Sequence, residues 1–170
     1  MIRAIAEFIR ALNGYDKKNE LAAGFAWGLL LGLIPAGNVF WIVLFLFSFF
    51  LKHNYWTKLI FMTLLIILSP LIMPLVDLLG WQILHISALQ PVFTSMYNTP
   101  FVPFTKFNNT LVAGGLVAGV ILWWPVYLLF MWLIPLYRNT IGTKLKNSKV
   151  VKKILKFPLF SALDMAVKGK

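Results

Sequence analysis

Leu21–Ile34 (LAAGFAWGLLLGLI), the four residues Pro35-Ala36-Gly37-Asn38, and Val39–Leu51 (VFWIVLFLFSFFL) decide how this chain folds. Each apolar run would be only ~20 Å long as a helix, short of a hydrocarbon core of ~30 Å, and the two joined end to end would overshoot it. Pro35-Ala36-Gly37 has the composition of a tight turn, and Asn38 is a good N-cap for the helix that follows. A helical hairpin that enters and leaves an apolar layer on the same side fits these lengths. Small residues Ala22, Ala23, Ala26, Gly28 and Gly32 are expected to let its two arms pack closely.

A second apolar stretch is also interrupted: Leu59–Leu68, then Ser69-Pro70-Leu71-Ile72-Met73-Pro74, then Leu75–Ile86. It is long enough to cross with an irregular centre. Backbone polar groups in a bilayer must be satisfied within the protein, so broken helices survive there only against protein or a wet cavity. Ser87–Thr110 follows, rich in Pro, Asn and Thr with interleaved Phe and Tyr, and reads as an interfacial loop. Leu111–Tyr137 is the cleanest span, with Gly115-x-x-x-Gly119 and Gly114-x-x-x-Ala118 at spacings that bring helices together and Pro125 as an expected kink.

Composition agrees with a membrane setting. Sixty per cent of residues are apolar, 12% are charged, and mean hydropathy is +0.81. Nine of the 16 Lys and Arg lie between Arg138 and Lys170, against one acid, Asp164. Beside apolar spans such a basic tail marks a cytoplasmic face rather than a nucleic-acid site. Lys149, Lys152, Lys153 and Lys156 fall on one face of a short helix and are expected to contact anionic lipid. Met1–Leu12 is amphipathic, with Ile2, Ile5, Ile9 and Leu12 on one side, and reads as an interfacial helix.

The reading is therefore an all-α integral membrane protein of one membrane domain, 1–137, and a basic cytoplasmic tail, 138–170. Within the domain it has an interfacial helix 1–14, a re-entrant hairpin 21–51 and a Pro-broken span 57–86. An extracytoplasmic interfacial loop 87–110 and a transmembrane helix 111–137 complete it. Charge favours both termini and the Lys52/Lys58 loop inside, with Lys106 outside. The mirror arrangement, in which the first stretch crosses and the second re-enters, strands Lys52 and Lys58 outside.

Few side chains offer chemistry. With no cysteine, five acids and two histidines, no metal cluster, catalytic triad or paired carboxylate can be written, and no enzyme or cofactor is expected. Asp77 is the one acid in the apolar spans. It is either a functional intramembrane carboxylate or a residue in the first turn of a helix restarted after Pro74, where the dipole favours its charge. His85 lies two turns on, too far along one helix to share an ion with it. Asn38 is a cap or, less simply, a substrate contact.

Ala11-Leu12-Asn13 with Leu21–Gly28 and Gly32-Leu33-Ile34-Pro35, Met73-Pro74-Leu75 through Gly80, and Phe107-Asn108-Asn109-Thr110-Leu111-Val112 carry a resemblance. Over Ala4–Tyr137 the chain resembles an uncharacterised family of short bacterial inner-membrane proteins. Its first hairpin is similar to the domain of unknown function numbered twenty sixty-two. The resemblance implies no enzyme activity, and a larger envelope protein as partner. Two functions are consistent with these residues: a subunit or anchor of a larger envelope assembly, and a small transporter or lipid-moving protein using the broken helices and Asp77; a homo-oligomer is a further partner the small Gly and Ala faces allow.

Overall fold

The computed structural model describes residues 17–142, and every regular element among them is helical. The interfacial helix 1–14 and Lys149, Lys152, Lys153 and Lys156 of the tail lie outside the described residues. Six α-helices follow in order: α1 Lys18–Leu33, α2 Val39–Ser48, α3 Tyr55–Ile67, α4 Ser69–Leu84, α5 Gln90–Asn98 and α6 Thr110–Tyr137.

Helix α1 is the central element. Eleven of its 16 residues are buried, because it packs against both α3 and α6. Gly24 faces Asn54 and Thr57, Gly28 faces Lys58 and Phe61, and Gly32 faces Leu65, so α1 and α3 run parallel. Gly115 faces Leu33, Gly119 faces Leu30, Phe25 stacks on Phe130 at 3.6 Å, and Leu21 shares a cluster with Ile134. Helix α6 therefore runs antiparallel to α1. Phe61 packs perpendicular to Phe25 at 5.2 Å and to Phe130 at 5.7 Å, joining all three helices in one aromatic cluster.

The hairpin is present, but its arms are held differently from the expectation. Gly37 takes φ +89°, which a side chain resists, and Asn38 caps α2 by accepting from the Trp41 amide at 2.8 Å. Gly28 and Gly32 of α1, with Gly24, do not face α2; they turn to α3. Large side chains, Trp27, Trp41, Phe40 and Leu44, fill the gap between α1 and α2, and Trp41 Nε1 donates to the Leu31 carbonyl at 2.9 Å. The physical reason is that glycines at every fourth position offer one narrow ridge, and only one neighbour can occupy it. At the hairpin's far end the Asn54 amide donates to the Glu20 carbonyl at 2.8 Å, so the chain returns to the level at which α1 began.

The second broken stretch bends at Leu68, where α3 and α4 meet at 85°. Ser69–Pro74 is not the irregular centre expected from sequence. Pro70 sits in the first turn of α4, where a missing N–H costs nothing, and the helix continues through Pro74. Helix α4 then packs on the first turns of α6, with Val76 and Gly80 against Gly114 and Thr110.

Ser87–Thr110 is more ordered than a loop. It contains α5 and 3₁₀ turns at Ser87–Leu89 and Val102–Thr105, with Phe101 and Lys106 both at positive φ. Helix α6 runs unbroken through Pro125 and continues into a π-helical turn, Arg138–Gly142, so the helical path passes the expected boundary at 137. It is long and apolar enough to cross a membrane.

Candidate functional site

The polar residues singled out from sequence occupy separate places. Asn38 is buried; besides capping α2 it donates through Nδ2 to the Pro35 carbonyl at 2.7 Å, closing the hairpin turn on itself. Asp77 is exposed on α4 and accepts from the Thr110 hydroxyl. It is not in the first turn of a restarted helix, because α4 begins eight residues earlier at Ser69. Its carboxylate is instead beside the N-terminus of α6, whose dipole favours it. His85 ends α4, exposed, with Nδ1 on the Trp81 carbonyl at 2.8 Å and its ring stacked on Trp81 at 4.3 Å. Each of the three is engaged by its own neighbours.

Gly114, Gly115, Ala118 and Gly119 all lie at helix contacts, but on two surfaces. Gly114 meets α4 backbone at Val76 and Gly80, Gly115 and Gly119 meet α1, and Ala118 borders the cluster of Leu29, Leu33, Leu65 and Val76. One helix thus holds the hairpin on one face and the broken span on another.

The most unusual group is Lys58, in the first turn of α3. Read from sequence as part of an interfacial loop, it is instead 1% exposed. Asn54 caps α3 through the Thr57 amide at 2.8 Å, and this start aims the lysine at α2. Its Nζ donates to Ser48 Oγ at 2.7 Å, and Ser48 Oγ in turn donates to the Phe45 carbonyl at 2.6 Å. Phe49, Phe45 and Tyr55 surround the ammonium at 4.5, 4.9 and 5.1 Å from their ring centres. No carboxylate reaches it among the described residues. An ammonium removed from water without an anion needs other partners; each ring face offers ~0.5–2 kcal/mol and the hydroxyl a charge-assisted hydrogen bond.

His53 completes this corner. Nδ1 donates to the Leu51 carbonyl at 2.9 Å, while Nε2 is buried with no partner among the described residues. Burial first, and the nearby Lys58 charge second, lower its pKa from 6.5 to about 4, against the pull of the Leu51 hydrogen bond. The imidazole is therefore neutral at physiological pH. The corner binds the return end of the hairpin to α3 through a cation, a hydroxyl and aromatic faces. In sequence its one signal is Ser48, an isolated hydroxyl in an apolar run, followed ten residues on by Lys58. Nothing in either residue alone shows that they meet.

A separate apolar cleft lies at the other end of the bundle, between α2, α4, α5 and α6. Its volume is about 280 Å³, with Phe40, Leu84, Phe93, Met96, Phe107 and Leu116 among its walls.

Residues 3–140 match the model of a family described as uncharacterized protein conserved in bacteria, DUF2062. A protein of Treponema pallidum (strain Nichols), itself described as uncharacterized, is 33% identical over 159 residues, covering 94% of this chain and 98% of that one. No solved structure matches. The family match is not confined to the first hairpin but takes in every helix from α1 to α6. The chain belongs to the bacterial DUF2062 family.

Proposed function

We propose that this chain is a non-enzymatic integral protein of the bacterial inner (cytoplasmic) membrane, serving as a subunit or membrane anchor of a larger envelope assembly. The observation that carries the reading is the distribution of apolar surface. Large hydrophobic side chains stand exposed along α2 (Val43, Phe47), in the turn that follows it (Phe50), and along α4 (Leu71, Leu75) and α6 (Ile121, Trp132). Contiguous apolar surface on this scale needs lipid or protein to cover it. The buried polar groups, by contrast, mostly find partners inside the chain: Asn38, Ser48, Thr57 and Lys58 all do.

Orientation follows from charge. Lys17, Lys18, Lys52 and Arg138 belong to the end where the hairpin starts and returns and where α6 finishes, and Lys106 belongs to the other. The positive end is cytoplasmic in this reading, with both termini on that side. The rival, a small transporter or lipid-moving protein working through Asp77, needs that carboxylate at an interior meeting point of the broken helices. Its exposed position on α4 favours the anchor.

Mild-detergent co-purification of the tagged full-length protein, with mass spectrometry of bound proteins and lipids, tests the proposal. A stoichiometric larger envelope protein is expected. A homo-oligomer carrying enriched lipid and no other protein would overturn the anchor reading.

A further inference from the structure

We infer that the cleft between α2, α4, α5 and α6 is a binding site for one acyl chain of a membrane phospholipid, with the headgroup in the polar pocket beside it. The inference rests on the membrane reading above and adds to it a specific site and ligand class.

The cleft is half open, and its volume of about 280 Å³ is near the lower end of ~300–1,000 Å³ usual for ligand pockets. Among its described lining side chains only Thr105 carries an oxygen or nitrogen, and that hydroxyl is turned away to the Val102 carbonyl at 2.6 Å. Water in such a space would have almost no hydrogen-bond partners, whereas a hydrocarbon chain gives up no hydrogen bond on entering it.

A second pocket of about 270 Å³ shares the walls Leu84, Phe93 and Phe107 with the cleft. Its own residues are of another kind: Gln90, Thr94, Tyr97 and Asn108. Gln90 and Thr94 bond to backbone carbonyls of Leu84 and Gln90. The Tyr97 hydroxyl and the Asn108 amide make no hydrogen bond to the described chain, so both stand ready for a ligand. An apolar slot opening across three shared side chains onto a polar pocket matches the two halves of an amphiphile.

Charge narrows the class. Among the described residues no lysine, arginine or acid lines either pocket, so recognition runs through hydrogen bonds to a headgroup of no net charge. The segment that roofs the site exposes Phe101 and Phe104 at 80% and 65%, so its outer surface also suits an apolar medium and lipid can enter sideways.

The experiment uses full-length protein in phosphatidylethanolamine nanodiscs containing a trace of the same lipid with a diazirine in mid-chain. After photolysis, adducts are mapped by mass spectrometry. They are expected to concentrate on Met96, Phe107 and Leu116 relative to Phe50, an exposed residue of the turn that follows α2. Ala113→Phe, which fills the cleft, is expected to cut the cleft adducts about tenfold, equivalent to ~1.4 kcal/mol, and leave those on Phe50 unchanged. Should that variant fail to fold, the exposed pair Tyr97→Phe with Asn108→Ala removes the headgroup partners and is expected to lower the same adducts severalfold. Adducts spread evenly over the exposed helices, insensitivity to these changes, or cross-links showing a second copy of the chain seated in the cleft would each overturn the inference. Failure of the membrane reading would be seen separately, as protein that does not enter nanodiscs at all.

Discussion

Alanine at the glycines of α6 should produce a graded loss of stability set by what each new methyl meets. At Gly115 the methyl would run into the Leu33 carbonyl and approach Ile34 Cα at 3.1 Å, both main-chain atoms that move only if α1 and α6 separate. At Gly114 it would meet the Val76 carbonyl and the Gly80 amide, again main chain. At Gly119 the first obstacle is Leu30 Cδ1 at 2.5 Å, the far end of a flexible side chain, with Leu30 Cα behind it at 3.2 Å. Replacing glycine by alanine inside a helix gains ~1 kcal/mol of intrinsic propensity at all three positions. Overpacking against backbone costs ~1–3 kcal/mol, so Gly114→Ala and Gly115→Ala should lose up to ~2 kcal/mol net and Gly119→Ala should stay near neutral. At ~2–4 °C per kcal/mol for a chain of this size, the first two should melt up to ~8 °C early. Heating the detergent-solubilised variants in steps and measuring the monodisperse fraction by size exclusion reads this directly. Gly119→Ala falling as far as Gly115→Ala, or all three matching the parent, would refute the packing described.

The Lys58 corner makes predictions of its own. Ser48→Ala removes the hydroxyl that accepts from the ammonium and should cost ~1.5–3 kcal/mol, whereas Lys58→Met, of similar shape and uncharged, should be neutral or stabilising, both read as thermal shifts. His53 has a native pKa of about 4 against 6.5 when unfolded, so between those values the unfolded chain binds more protons and stability falls as the pH is lowered. The loss should begin below pH ~6.5 and reach up to ~3 kcal/mol by pH ~4, and His53→Phe should flatten that limb of a melting-temperature profile. Thr110→Val removes the hydroxyl bonded to Asp77 on an exposed face, and a shift no larger than ~1 kcal/mol is expected in the same melts.

Much of the architecture was legible because it follows from length and punctuation. Runs too short to span, set either side of Pro35-Ala36-Gly37-Asn38, imply a hairpin whatever they pack against. Asn38 was readable as a cap because capping depends on three or four neighbouring residues. What packs against what was not legible to the same degree. Gly24, Gly28 and Gly32 form a ridge at every fourth position, and that spacing announces a close contact without naming the partner, which proved to be α3 rather than α2. Ser69–Pro74 looked like a break because two prolines and a serine lie together. Pro70, however, falls in the first turn of α4, where its missing N–H and its ring meet no established turn, and the helix continues through Pro74. Helix α5 was hidden in a segment whose Pro, Asn and Thr content outweighed the spacing of Phe93, Met96 and Tyr97. Lys58 shows the limit most clearly. A lysine at the edge of an apolar run usually reaches for water, and only the tertiary placement of Ser48, Phe45 and Phe49 makes a buried position tenable.

The central claim, a hairpin that returns to its own side followed by a span that crosses, is tested most directly by labelling. The chain has no cysteine, so Lys52→Cys and Lys106→Cys each introduce a single thiol at an exposed position. With a membrane-impermeant maleimide on intact cells, the account predicts that Cys at 106 reacts and Cys at 52 reacts only after the membrane is opened. Both positions reacting from the same side would contradict it.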